Sequence, residues 1–461
     1  MKTYDIAIVG AGPAGMAAAT RAVHLGLSAV VLDEQSGPGG QIYRAIEQAD
    51  TPRKAVLGAD YAAGEALAKA FRASRADYLP DAVVWNVDTD LTIDYSRGGA
   101  SSQVRAGALV VATGAIERPT PLPGWTLPGV TTVGALQILL KANGVLNDDA
   151  VLVGCGPLLY LVAAQMVEAG APPKAVVETV ERGRVWKALP HLPRALAALP
   201  YLKKGLALIR RVKASGVPIH RAAHAIRIEG TDAAEAVRFV AGGRERRIPA
   251  SLVALHQGVV PNQQITRLLR CSHLWDDGQR CFVPATDACF ETSVANVYVA
   301  GDGAGIGGAV TAALRGELVL LRNAGKAGKA TGADRVVIPA QLQRDQAIRP
   351  FLETLYAPSP EVLRPADDTL VCRCEEITAG QVRQAVDLGA PGPNQVKSFL
   401  RCGMGPCQGR MCGLAVTEII AARRGEPPSV VDYYRIRPPL KPLALSELAA
   451  IEGEPSAAEP L

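Results

Sequence analysis

Apolar residues along this 461-residue chain fall into two kinds of run. Short unbroken runs recur: YDIAIV at 4–9, SAVVL at 28–32, ALVVA at 108–112, AVLVG at 150–154, KAVVE at 174–178 and LVALH at 252–256. Most are too short for a helix and rich in β-branched residues, which predicts strands of a buried parallel sheet. Longer stretches, MAAATRAVHLG (16–26), PLLYLVAAQMVEAG (157–170) and AVTAALRGELVLL (309–321), are predicted helices. EITAGQVRQAVDLG (376–389) predicts a capped amphipathic helix starting at Thr378. No apolar run reaches the ~18 residues needed to cross a bilayer. RRGEPPSVVDYYRIRPPLKPL (423–443) lacks helical periodicity, and this tail is expected to lie extended on the surface.

Strand, turn and helix repeat in the order of an α/β protein. The first turn, Gly10-Ala-Gly12-Pro-Ala14-Gly15, stands between a strand and a helix, the context a dinucleotide fingerprint requires. Gly10 permits the turn, Gly12 lets backbone approach a pyrophosphate, and Gly15 lets helix and strand pack closely. The helix N-terminus, from about Ala14, supplies N–H donors. The next strand ends in Asp33 and Glu34, where a carboxylate would accept ribose hydrogen bonds; the count from Gly10 favours Asp33.

A second strand–turn–helix, Gly154-Cys-Gly156-Pro-Leu-Leu159, repeats the first, with Glu178 placed like Asp33. This predicts a second Rossmann-like unit inserted within the first and closed by LVALHQGVVPN (252–262). Leu159 replaces the third glycine, so it either pushes helix from strand or fills pyrophosphate space. Whether NAD(P) binds there stays open; Glu178 suits NAD, whereas Arg182 and Arg184 suit a phosphate.

The 49 basic and 44 acidic residues give a net charge of +5 and are interleaved, so no nucleic-acid surface is read from them. The chain starts directly in a strand, without a signal peptide, and a cytoplasmic protein is expected. No histidine pair or triad stands out as a substrate base; His256, at a strand end, faces the second nucleotide turn and is read as a hydrogen-bonded core residue. None of the nine cysteines precedes Cys155, and no C-x-x-C occurs, which excludes disulfide reduction.

Five cysteines crowd into residues 372–412. Cys372, Cys374, Cys407 and Cys412 space as a set: a C-x-C pair, then two thiols with four residues between them. A [2Fe–2S] cluster needs four thiolates, two per iron, and this spacing suits it better than a zinc knuckle or disulfide. Cys402 is left as a spare buried thiol. Arg373, Lys397, Arg401 and Arg410 surround the set, as a net-negative cluster would want.

Gly39-Gly40-Gln41 resembles the GGQ turn of two-dinucleotide flavoproteins with disulfide-reductase-like architecture. Thr113-Gly114 matches their ATG strand end, and Gly301-Asp302 the GD motif whose carboxylate meets the ribityl chain. VCRCEEITAGQVRQAVDLGA followed by GMGPCQGRMCG resembles the α-rich BFD-like [2Fe–2S] domain. With GAGPAG, GGQIYR, ATGAIERPTPLPGWTLPGV and GCGPLL, nearly the whole chain is similar to the α-type subunits of multisubunit amine dehydrogenases. That family includes the A-type subunit of opine oxidase, the B-type subunit of hydrogen cyanide synthase, and the α subunits of hydroxyproline and dye-linked proline dehydrogenases.

The resemblance implies FAD at Gly10, Gly12, Ala14, Gly15, Asp33 or Glu34, Gly40, Gln41, Thr113, Gly114, Gly301 and Asp302. It implies the cluster at the four cysteines, with no catalytic residue in this chain. Substrate would be oxidised by an FAD-containing, amino-acid-oxidase-like β subunit, in some relatives with FMN at the subunit boundary or a small third subunit. Peripheral membrane association of the complex would run through its electron acceptor. A stand-alone NAD(P)H-dependent flavin reductase is the alternative. The expected domains are 1–118 with 266–335 for FAD, 119–265 inserted, 336–425 for the cluster, and 426–461 as tail, with a linker starting at 326–334.

Overall fold

The computed structural model describes residues 1–326 and 334–451. The expected linker therefore lies mostly outside the described residues, as does the end of the tail. The first sheet runs Asp77–Leu79, Ala29–Leu32, Lys2–Val9, Ala100–Val111, Thr92–Arg97, Val83–Val87, with Val297–Val299 also on Ala100–Val111. Its parallel strands are in register at one end: Val9 lies opposite Leu32 and Val111, and Val299 opposite Val111. The residues that follow these strands, namely Gly10, Asp33, Thr113-Gly114 and Gly301-Asp302, are thereby delivered to one edge, where ligands of open α/β sheets bind.

The chain leaves this domain along Ala115–Glu117 and returns along Val259–Pro261, two strands paired antiparallel. Between them lies a second parallel sheet in the order Ile219–His220, Ala175–Glu178, Ala150–Cys155, Leu252–Gln257, Val130–Thr132. A three-stranded antiparallel sheet, His224–Glu229, Ala236–Ala241, Arg244–Pro249, accompanies it. The inserted unit that the repeated motif predicts is thus present.

The third unit is mostly helical: Ala379–Asp387, Pro393–Leu400 and Gly413–Arg424. Thr378 caps the first helix in a capping box with Gln381, as the S/T-x-x-E/Q pattern dictates. Arg280 of the flavin domain holds buried Glu418 through two contacts of 3.1 and 2.6 Å, and the Trp125 indole N–H donates to the Leu370 carbonyl at 2.6 Å. One apolar cluster runs from Val9 and Val111 through Val260 and Phe282 to Cys412, Tyr433 and Tyr434.

The tail departs from expectation. Residues 432–444 form no helix or strand, and Tyr433, Tyr434, Ile436 and Leu440 are buried. The Leu440 N–H donates to the Trp85 carbonyl at 2.7 Å, so the tail reaches the flavin domain too. Two adjacent aromatic rings lack helical periodicity yet carry a large apolar area, and that burial fixes the segment.

Candidate flavin and iron–sulfur sites

At the first turn, Gly10 has φ +105°, and a Cβ on Gly15 would sit 1.8 Å from the Gly10 oxygen. Only glycine allows that contact. A Cβ on Gly40 would lie 2.9 Å from Gly12 Cα, so the GGQ turn folds directly against the loop; the Gly39 N–H donates to the Ala11 carbonyl at 2.8 Å. Gly12 caps the helix Pro13–His24 with no side chain, leaving its first N–H groups for an anion.

Asp33 and Glu34 separate clearly. Asp33 is 5% exposed and accepts from the Ala11 and Gln35 N–H groups at 3.3 and 3.2 Å. Burial pushes its carboxyl up to about 6. Glu34 points outward and pairs with Lys441 at 2.7 Å. Gly301 packs so close to Ala14 that a Cβ would come within 2.9 Å of the Ala14 methyl. Asp302 Oδ1 accepts from Gly307 and Gly308 at 2.8 and 2.9 Å. The Thr113 hydroxyl donates to the Asn262 carbonyl at 3.4 Å, and Gly114 is beside Asn262 with open space where a side chain would be.

Of the two carboxylates offered at the second strand end, Glu34 is the one turned away, and the Gln41 carbonyl accepts from Lys141 at 3.0 Å. The sequence reading missed two groups here. Half-buried Arg44 has a buried Nε without a hydrogen-bond partner. Lys141, from the inserted domain, is buried beneath the GGQ turn, and desolvation brings its ammonium down to about 7. A glycine cradle, an uncapped helix start, a buried carboxylate and an orphaned guanidinium nitrogen together fit a dinucleotide.

The second turn is different. Leu159 is fully buried in a cluster with Leu152, Val162 and Val176, so its side chain packs into the core between helix and sheet rather than filling pyrophosphate space. The chain's own segment 356–359 lies over the turn: the Cys155 thiol contacts the Tyr356 carbonyl at 3.5 Å, and the Ser359 N–H donates to Gln257 Oε1 at 3.0 Å. Glu178 accepts from the Tyr160 hydroxyl at 2.7 Å. His256 is buried against Glu117, Nδ1 to Oε1 at 2.6 Å, as expected of a core histidine.

The five C-terminal cysteines form two groups. The sulfurs of Cys372, Cys402 and Cys412 lie within 4.8 Å of one another and are buried. Exposed Cys374 interacts with the half-buried Cys407 thiol. Thiol hydrogen bonds from Cys402 and Cys412 hold Cys372 down to about 2, while the bond to Cys372 holds Cys402 up to about 12. Cys402, set aside as a spare from its spacing, is thus drawn into the buried group; linear spacing cannot show which way a thiol points. Two separated groups of thiols suit a two-iron cluster bound from both sides.

A Cβ on Gly405 would strike Cys374 Cβ at 2.3 Å, and one on Gly409 would strike the Tyr434 ring at 2.5 Å. The loop therefore closes tightly on both the thiols and the tail. From Cys412 an aromatic series leads into the flavin domain. Tyr434 Oη is 3.9 Å from Cys412 Sγ, and ring centroids follow at 5.8 Å to Tyr433, 6.1 Å to Phe282 and 5.1 Å to Trp275. Arg267 lies over both Phe282 and Tyr433, at 4.7 and 5.0 Å. A narrow cleft lined by Ile116, Pro261, Asn262, Arg410 and Tyr433 separates the Gly114 strand end from the cysteine loop.

The class these sites define is a two-dinucleotide-fold flavoprotein with an attached iron–sulfur domain. Residues 4–328 match the pyridine nucleotide-disulphide oxidoreductase family and residues 370–422 the BFD-like [2Fe-2S] binding domain. Its cofactors are FAD and a [2Fe–2S] cluster. More narrowly, the chain belongs to the family of the opine oxidase A-type subunits. It is 46% identical to the A-type subunit of opine oxidase from Agrobacterium tumefaciens (strain Ach5), over 97% of this chain and 91% of that one. It is 31% identical to hydrogen cyanide synthase subunit HcnB of Pseudomonas aeruginosa, over 95% and 97%. The crystal structure of L-proline dehydrogenase from P. horikoshii shares the fold, with TM-score 0.71 at 17% identity over 97% of this chain and 79% of that one. Among the described residues no helix is long and apolar enough to cross a membrane.

Proposed function

We propose that this chain is the electron-transferring subunit of a heteromeric dehydrogenase for a secondary amine or amino acid of the opine, hydroxyproline, proline or glycine class. Substrate is oxidised on a partner β subunit with its own FAD. The observation that carries this reading is the aromatic series joining the flavin domain to Cys412. The cleft beside it is lined by Arg410, Asn262, glutamines and apolar groups, with no carboxylate or histidine to take a substrate proton. That the relatives are named as subunits of opine oxidase and of hydrogen cyanide synthase supports a multisubunit assembly.

The FAD supplies two-electron chemistry and the cluster one-electron chemistry. The chain's part is to hold them. Asp33 and the Pro13–His24 N-terminus bind and orient the nucleotide, Asp302 is placed for the ribityl chain, and Cys372, Cys374, Cys407 and Cys412 ligate the irons. Tyr433 and Tyr434 exclude water between the centres. Residues 356–359, lying over the second turn, weigh against the flavin-reductase alternative. Nine free cysteines with no disulfide suit the cytoplasm. An FMN at the boundary with the β subunit, a small third subunit and peripheral membrane association belong to the same reading.

The test is oxidation of an opine or imino acid with an artificial dye. The purified chain alone is expected to be inactive, and the co-expressed complex active. Turnover by the isolated chain would overturn the proposal.

A further inference from the structure

Beside the cysteine loop is an open groove of about 900 Å³ lined by Lys397, Arg401, Arg435, Arg437, Asn394 and Met404, among others, with no carboxylate in its wall. The chain as a whole is nearly balanced, 49 cations against 44 anions, so four cations around one groove are a local excess. Arg401 is paired with Glu375 at 3.1 Å. Lys397, Arg435 and Arg437 have no carboxylate partner among the described residues.

The groove adjoins the cluster site. Arg401 and Met404 flank Cys402 in sequence, and Glu375, the partner of Arg401, follows Cys374, an exposed thiol. Lys397 Nζ lies 5.9 Å from the centroid of the Tyr434 ring that touches Cys412. Met404, 50% exposed, puts apolar surface at the same place. Obligate subunit interfaces are large and have cores depleted in charge, whereas brief redox encounters are small and steered by charge. This groove has the second character.

We infer that the Lys397–Arg435–Arg437 groove is the docking surface for an acidic one-electron carrier protein, the outlet through which the cluster is reoxidised. The inference rests on the electron-transfer reading above and names its partner's chemistry. Each encounter moves one electron from the reduced cluster to the oxidised carrier. Two encounters clear the pair that one substrate oxidation delivers.

The experiment uses the holo-complex, reduced with substrate. An acidic c-type cytochrome is the probe and a basic c-type cytochrome of similar potential the wrong-sign control, each mixed oxidised by stopped flow across a range of salt. Electrostatic steering raises on-rates by about 10–10³-fold. The acidic cytochrome is therefore expected to react at least about tenfold faster in low salt than in high salt, and the basic one not to share that advantage. The double variant R435E/R437E should lose the preference for the acidic carrier while its iron content, cluster spectrum and dye-linked activity stay unchanged. Three results would overturn the inference: indifference of the wild type to carrier charge, release of the β subunit by the double variant, or saturable binding of inorganic phosphate or FMN that the variant abolishes. A complex whose cluster substrate cannot reduce would instead overturn the electron-transfer reading.

Discussion

The hydroxyl of Tyr434 stands 3.9 Å from the sulfur of Cys412, and its ring packs against Tyr433, which in turn meets Phe282 of the flavin domain. A tail residue thereby touches the cluster site on one side and the flavin domain's aromatic series on the other. A hydrogen bond to a ligating sulfur stabilises the reduced, more negative cluster. Tyr434→Phe is expected to keep the cluster and lower its reduction potential, read by potentiometric titration. Tyr434→Ala deletes a ring that is 2% exposed and should destabilise the domain by about 3–5 kcal/mol, as aromatic-to-alanine core changes do. Its signature is iron loss on mild heating.

Five thiols compete for four positions. Cys374→Ser and Cys407→Ser are each expected to give iron-poor protein that keeps its flavin absorbance and loses the cluster's, because the pair they form is the only thiol group on that side among the described residues. Cys402→Ser should keep iron and the visible spectrum, since Cys372 and Cys412 still supply two sulfurs. An iron-poor Cys402→Ser protein would put Cys402 among the ligands.

Gly15→Ala places a methyl 1.8 Å from the Gly10 oxygen, a contact the loop can relieve only by moving. The expected product holds its cluster and loses FAD. The flavin-to-iron ratio after desalting checks this.

Asp33 predicts a pH dependence in flavin-free protein. Its folded-state value, about 6, is above the unfolded carboxyl's, so the native state binds the proton more tightly. Its contribution to stability is fully present below the unfolded value and is lost as pH rises through about 6. The loss is on the order of 3 kcal/mol for a shift of about two units. Asp33→Asn should flatten that part of the melting-temperature profile. Flavin affinity should run the other way and weaken as pH falls through the same range, because ribose hydroxyls need the carboxylate as acceptor.

Much of the flavin site was legible in the sequence because its determinants are local. A strand's length, a glycine's spacing and a carboxylate at the next strand end each constrain the fold within a few residues of themselves. The capped helix at Thr378 was readable for the same reason. What escaped depends on pairings far apart along the chain. Tyr434 packs against Gly409, Cys402 turns towards Cys372, Lys141 reaches the Gln41 carbonyl from another domain, and residues 356–359 cover a turn 200 residues earlier. No periodicity records such encounters. Leu159 stands where the third glycine is expected, but only its burial showed that the side chain enters the core.

The most direct test is to reduce the bound flavin of the holoprotein by anaerobic photoreduction and to follow the cluster by electron paramagnetic resonance in rapidly frozen samples. Loss of flavin absorbance should be accompanied by a paramagnetic signal from one electron on the cluster, slowed when both Tyr433 and Tyr434 are replaced by leucine in protein that retains its iron. A bleached flavin beside an intact, diamagnetic, iron-loaded cluster would contradict electron passage between the two centres.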